Sequence, residues 1–158
     1  PKHKPDDTID YDIEGANVGY KWFAAKGLTP QFAFGHGLSY TTFTYENLSA
    51  TSMGQRLVAT VDVRNTGKVA GADVAQLYLK MPEGSATPIR LIGFQKVTLQ
   101  PGESRRIRIE AEPKTLASFD TADKQWKIAE GRYELQLSRS ANEPVETSPV
   151  VLSGGVVR

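Results

Sequence analysis

In the stretch FAFGHGLSYTTF, Phe32 to Phe43, one histidine sits between two glycines and three residues ahead of a serine. A serine hydroxyl next to an imidazole is the raw material of nucleophilic catalysis, which also needs a third group to orient the base. A nucleophile elbow carries glycine two residues before and two residues after its serine. Gly37 meets the first requirement for Ser39, but Thr41 occupies the second position. The only other histidine, His3, lies in the polar opening PKHKPDDTID, and the sequence names no acidic partner for His36. The pattern is therefore read as a backbone device and not as a catalytic turn. Glycine permits left-handed φ values and close approach of two chains, and an imidazole can bridge backbone groups across an interface.

Carboxylates are the other candidates for hydrolytic chemistry, where one must be held protonated in an apolar pocket while its partner stays ionised. Asp6 and Asp7 belong to the polar opening, and Asp120 and Asp123 to a turn before Trp126. Turn chemistry and solvated charge explain all four. With two histidines and no cysteine there is no first shell for zinc, and DTADKQ lacks the glycine and closing glutamate of a calcium loop. No catalytic residue, metal or cofactor is assigned.

The elements that position these residues follow from composition and periodicity. The chain has 158 residues, 39% hydrophobic and 23% charged, which is ample for one globular domain with an appended arm. Nineteen Lys+Arg balance 18 Asp+Glu, leaving a net charge of +1 and no general field for nucleic acid or an anionic membrane. The Arg106 and Arg108 stripe beside Glu110 reads as a solvated face. No apolar run reaches the roughly 20 residues of a membrane span. Because the first residue is Pro1, an excised or processed piece of a longer protein is expected.

From about Thr42 onward, short alternating segments are separated by turn residues. In LVATVDVR, Leu57, Ala59, Val61 and Val63 share one face, and the run stops at Asn65–Gly67, where a tight turn with positive φ is expected. ADVAQLYLKM sets Ala75, Leu77 and Leu79 against Gln76, Tyr78 and Lys80; IRLIGFQKVTL, SRRIRIEAE, QWKIAE and RYELQLS follow, the last with Tyr133, Leu135 and Leu137 inward. PVVLSGGVV reads as an edge strand or a tail, and Lys114–Asp120 as one helical turn. Seven or so such strands predict an all-β, antiparallel sandwich of immunoglobulin type over residues 42–158.

Residues 1–41 differ. Tyr20, Trp22, Phe23, Phe32, Phe34 and Tyr40 occur with no sustained period, which predicts an irregular N-terminal arm. Each buried ring is worth about 1.5–3 kcal/mol, so such a segment belongs against a surface. The sandwich offers too little of one, so the arm is expected to lie on another domain.

The blocks VGYKWFAAKGLTPQFAFGHGLSYTTF, NTGKVAGADVAQLYL, TPIRLIGFQKVTLQPGES and WKIAEGRYELQLSRSA together resemble the C-terminal part of glycoside hydrolase family 3 β-glucosidases across residues 11–153. Lys21, Ala24 and Thr87 depart from the family pattern, which has arginine, aspartate and arginine there. The resemblance implies a fibronectin type III-like sandwich preceded by a connecting arm. It also implies that the nucleophile and acid/base carboxylates lie on upstream domains, since no S-D-W motif is present here.

On this reading the chain is a non-catalytic stabilising domain, inactive alone, whose partners are the upstream catalytic domains of the same enzyme. The parent retaining β-glucosidase takes β-linked oligosaccharides ending in glucose or a related sugar such as xylose, and is secreted or periplasmic. Tyr20, Trp22, Phe32, Phe34, Gly35, His36, Gly37 and Tyr40 are the candidate interdomain packing residues. A place on the substrate rim is the alternative for them, with the rings stacking on a sugar. The rival function is a self-standing carbohydrate- or protein-binding module, for which Tyr78, Phe94, Trp126 and Tyr133 are the available strand aromatics.

Overall fold

The computed structural model describes residues 12–82, 85 and 87–157; His3, Asp6 and Asp7 lie outside them. Strands β1 (Phe43–Met53), β2 (Arg56–Asn65) and β5 (Ser104–Ala111) form one antiparallel sheet in the order β1-β2-β5. Strands β3 (Gly71–Lys80), β4 (Ile89–Leu99), β8 (Gly131–Ser140) and β9 (Glu143–Leu152) form the facing sheet, ordered β4-β3-β8-β9. A small third sheet joins β6 (Ser118–Asp120), β7 (Gln125–Ile128) and β10 (Gly155–Val157). Two short helices, α1 (Tyr20–Lys26) and α2 (Pro113–Leu116), complete the elements.

Period-two patterning builds the core. Along β2, Leu57, Ala59, Val61 and Val63 are buried at every second position, and on β5 Ile107 and Ile109 do the same. They meet Leu77 and Leu79 of β3 and Leu135 and Leu137 of β8 in one cluster. Each such side chain contributes about 1.5–3 kcal/mol on leaving water, so this cluster dominates stability. The expected all-β sandwich is what forms.

Several local expectations are corrected. The arm is not wholly irregular, since α1 forms in it and is closed by Gly27 at φ 63°. Seven residues make too few turns for a helical period to stand out. Strand β1 escapes the alternation reading because a bulge between Glu46 and Ser49, with Asn47 at φ 59°, shifts its phase midway. The helical turn α2 starts at Pro113 and stops at Leu116, and Ser118–Asp120 is strand. The terminal apolar run supplies both the edge strand β9 and the short β10. Of Gln76, Tyr78 and Lys80, the expected outward set on β3, the first two are buried and only Lys80 is exposed.

Asn65 departs most. Neither it nor Gly67 has a positive φ. Its side chain is instead a fully buried junction. Asn65 Oδ1 accepts from the Thr41 hydroxyl at 2.7 Å and from Gly67 N–H at 3.0 Å, while Nδ2 donates to Val69 O at 2.9 Å and Leu99 O at 3.1 Å. Both lone pairs and both protons of the amide are used. Gly67 and Gly71 are glycine because Thr41 passes against them: a Cβ at either position would overlap the Thr41 side chain. The N-T-G-x-x-x-G spacing thus makes a slot for the last residue of the arm. Replacing Asn65 with alanine leaves four partners unpaired, Thr41 and Leu99 O of them in buried bonds, and should cost about 3 kcal/mol, against about 1 kcal/mol for Thr41→Val. Urea midpoints of the two variants check the ranking.

Candidate functional site

Three anchor points tie the arm to the sandwich. At the first, the Tyr20 phenol oxygen accepts Leu91 N–H at 2.9 Å, and its ring meets Tyr78 edge-on at 5.7 Å and Phe34 at 5.2 Å. At the second, Ala141 N–H donates to Phe34 O at 2.9 Å. Beside it Gln76 Nε2 donates to Gly35 O at 3.3 Å and to Arg139 O at 2.5 Å, and Gln76 Oε1 accepts from the Tyr78 hydroxyl at 2.8 Å. Thr41 in the Asn65 slot is the third, continued by Thr66 N–H to Thr42 O at 2.8 Å. Outward-facing Gln76 and Tyr78 are buried because the arm covers them.

The arm itself stays uncovered. No residue from Asp12 to Tyr40 is buried. Seven large apolar side chains stand exposed between Ile13 and Tyr40, among them Phe32 at 71%, Leu38 at 95% and Tyr40 at 102%. Trp22 is half-buried with the Lys26 ammonium 4.7 Å from its ring. Exposed rings and aliphatic groups on a segment tied down at three anchors offer an apolar surface.

The GHG motif divides in two. Gly35 has φ 81°, and a Cβ on it would overlap the Gln76 amide, so both steric reasons for glycine hold there. Gly37 lacks a positive φ and faces open space. His36 lies 5.7 Å from the Phe32 ring, and its imidazole forms no hydrogen bond with a described residue. Ser39 Oγ instead accepts Thr41 N–H at 3.3 Å. The structure therefore pairs neither residue with the other.

The carboxylates are no closer to chemistry. Lys127 Nζ lies 2.9 Å from Asp120 Oδ2 and also binds Asp123. The Lys127 hydrogen bond, with the Asp123 N–H behind it, holds the Asp120 carboxyl below its usual range. A general acid needs the opposite shift. Between the arm and β3 runs a groove of about 510 Å³ lined by His36, Asp73, Lys96, Arg139 and Glu143. Asp73 takes the Tyr45 hydroxyl at 2.6 Å, while Arg139 serves Phe43 O at 2.7 Å and Glu143 at 3.3 Å. Most of its charge is committed to holding the fold. Nor do the strand aromatics make a platform: Tyr78 and Tyr133 are buried, and exposed Phe94 and Trp126 belong to different sheets.

Sequence reasoning missed Leu38 and Gln76. Leu38 was inside the motif, yet only the arm's standing away from the sandwich makes it protrude. Gln76 carried no signal, since glutamine is mostly exposed and only the arm's cover buries this one.

Residues 73–141 match the fibronectin type III-like domain family. Probable beta-glucosidase I of Neosartorya fischeri is 40% identical over 146 residues, 85% of this chain and 17% of that protein. The crystal structure of beta-D-glucoside glucohydrolase from Trichoderma reesei superposes with a TM-score of 0.86 at 30% identity, covering 97% of this chain and 24% of that one. The GH3 beta-glucosidase of Bifidobacterium adolescentis superposes with a TM-score of 0.84 at 29% identity, over 89% of this chain and 21% of that one. The coverage extends well beyond the matched domain, so the likeness includes part of the arm.

Fold and sequence together define a fibronectin type III-like domain with a docked arm. The chain is similar to part of the β-glucosidases, a glycoside hydrolase family 3 member among them, and spans about a fifth of the length of the relatives it matches.

Burial, reinforced by the Asp73 hydrogen bond at Tyr45, pushes the Tyr45 and Tyr78 phenols well above the ordinary tyrosine value of 10. A raised folded-state pKa stabilises the fold fully below the unfolded value and loses that contribution as pH rises above it. The chain should hold its stability up to about pH 10 and lose it beyond. Ultraviolet titration should show Tyr45 and Tyr78 ionising only as the fold is lost, with Tyr133 raised in the same direction by burial, and Tyr45→Phe should flatten the alkaline decline.

Proposed function

We propose that this chain is a non-catalytic part of a β-glucosidase. Its sandwich stabilises the parent enzyme, and its arm docks on the catalytic domains. The parent, by this reading a secreted or periplasmic retaining enzyme, removes terminal glucose or a related sugar from β-linked oligosaccharides, with both catalytic carboxylates outside this chain. The observation that carries the reading is the arm face. Phe32, Leu38 and Tyr40 stand exposed on a segment whose Phe34 and Gly35 carbonyls accept from Ala141 N–H and the Gln76 amide, and whose Thr41 hydroxyl is buried on Asn65. Such rigidity at the rim of a naked apolar surface suits a docking partner, because little ordering entropy remains for association. The coverage of the relatives supports it: their remaining four-fifths has room for a catalytic unit.

Two outcomes follow. The chain alone should leave a nitrophenyl β-glucoside untouched and should wash off insoluble cellulose and xylan. Turnover abolished by His36→Ala would refute the structural account of that residue, and retention on polysaccharide would favour a self-standing binding module. Mixed with the catalytic portion of its parent enzyme, the chain should bind. Paired substitutions Leu38→Asp and Tyr40→Asp should weaken that association by at least about 100-fold, since each forfeits roughly 1.5–3 kcal/mol of apolar burial. Isothermal titration calorimetry reads the difference.

A further inference from the structure

Between the second and third anchors the chain crosses the groove as a span, His36 to Tyr40, in which every residue is exposed. With open space beneath it, the span takes its position from its two ends. One end is Thr41 in the Asn65 slot. The other is held by Ala141 N–H on Phe34 O at 2.9 Å and, next to it, by Gln76, which is 5% exposed on a strand face that period-two patterning directs away from the core. Its amide donates on one side to Gly35 O at 3.3 Å and on the other to Arg139 O at 2.5 Å, while Tyr78 fixes its oxygen at 2.8 Å. The carbonyls of Gly35 and Arg139, which can only accept, settle which end of the amide points at the arm. The fit is close enough to exclude a Cβ at Gly35.

We infer that Gln76 is a positioning residue: its buried amide sets the height and facing of the His36–Tyr40 span, and so presents Leu38 and Tyr40 to the catalytic domains as a preformed knob. The inference deepens the docking reading and rests on it for its purpose. The span's order, however, is a property of this chain alone and can be measured without any partner.

Limited chymotrypsin digestion of the full chain supplies the readout, because Leu38 and Tyr40 are themselves cleavage positions inside the span. Gln76→Glu keeps the acceptor for Tyr78 and removes both donors. Cleavage after Leu38 or Tyr40 should speed up about tenfold, while hydrogen exchange in β2 and β8 stays slow. Gly35→Ala breaks the same contact from the arm side, outside the core, and should reproduce the effect even if Gln76→Glu fails to fold. Val61→Ala lowers stability through the core but leaves both donors and the arm contacts in place, and its span should stay protected. Unchanged cleavage in Gln76→Glu and Gly35→Ala overturns the inference. So does a Val61→Ala span cut as fast as theirs, since the span would then simply follow overall stability. If the span loosens as expected but calorimetry finds no association with the catalytic portion, the docking reading fails and the positioning role of Gln76 stands.

Discussion

The Asn65 side chain has no exposed surface, yet all four of its hydrogen-bonding positions are occupied. A buried amide is costly unless fully satisfied, and once satisfied it admits few alternative arrangements of its neighbours. Here those neighbours are the end of β2, the loop into β3, the end of β4 and the last residue of the arm. The backbone of Asn65 adds bonds to Glu103 and Gly102 at the β4–β5 turn. Both sheets and the arm therefore converge on a single residue. Shift the arm by one position and Thr41 no longer fits between Gly67 and Gly71, so the register of everything N-terminal to it is settled at this junction.

Strand β3 carries the second consequence. Its inward side chains join the sandwich core, whereas Gln76 and Tyr78 on the other face are enclosed by the arm through Tyr20 and Gly35. A strand buried on both faces is the spine of a three-layer arrangement. The arm is thus an integral third layer with one wet side. Its dry side is fastened by buried hydrogen bonds, and its wet side is apolar where a solvent-facing layer is ordinarily polar. That mismatch, present in the isolated chain and explained by a further layer on top, is the physical content of the functional reading.

Chemistry in the usual sense has no foothold among the described residues that first suggested it. His36 borders a groove without an acidic orienting partner in hydrogen-bond contact, Ser39 Oγ is occupied by a backbone N–H, and Asp120 is held ionised by Lys127. Each residue type is explained by what it touches. Gly35 yields to the Gln76 amide, Ser39 caps its own turn, and Asp120 with Asp123 ties the β6–β7 hairpin.

From the sequence alone, the class of fold, the strands with unbroken alternation and the apolar excess of the arm were all legible, because period-two burial and ring count are local properties. The same holds for the absence of a nucleophile elbow at Ser39. Strand β1 was obscured by its bulge and α1 by its brevity. Only the tertiary structure decided that Asn65 works through its side chain and not through φ, that Gly35 yields to Gln76 while Gly37 faces open space, and that Leu38 protrudes. Those outcomes depend on which distant residue lies opposite. A chain read in one dimension carries the pattern of what must be buried, and the identity of the neighbour that buries it exists only once the layers have met.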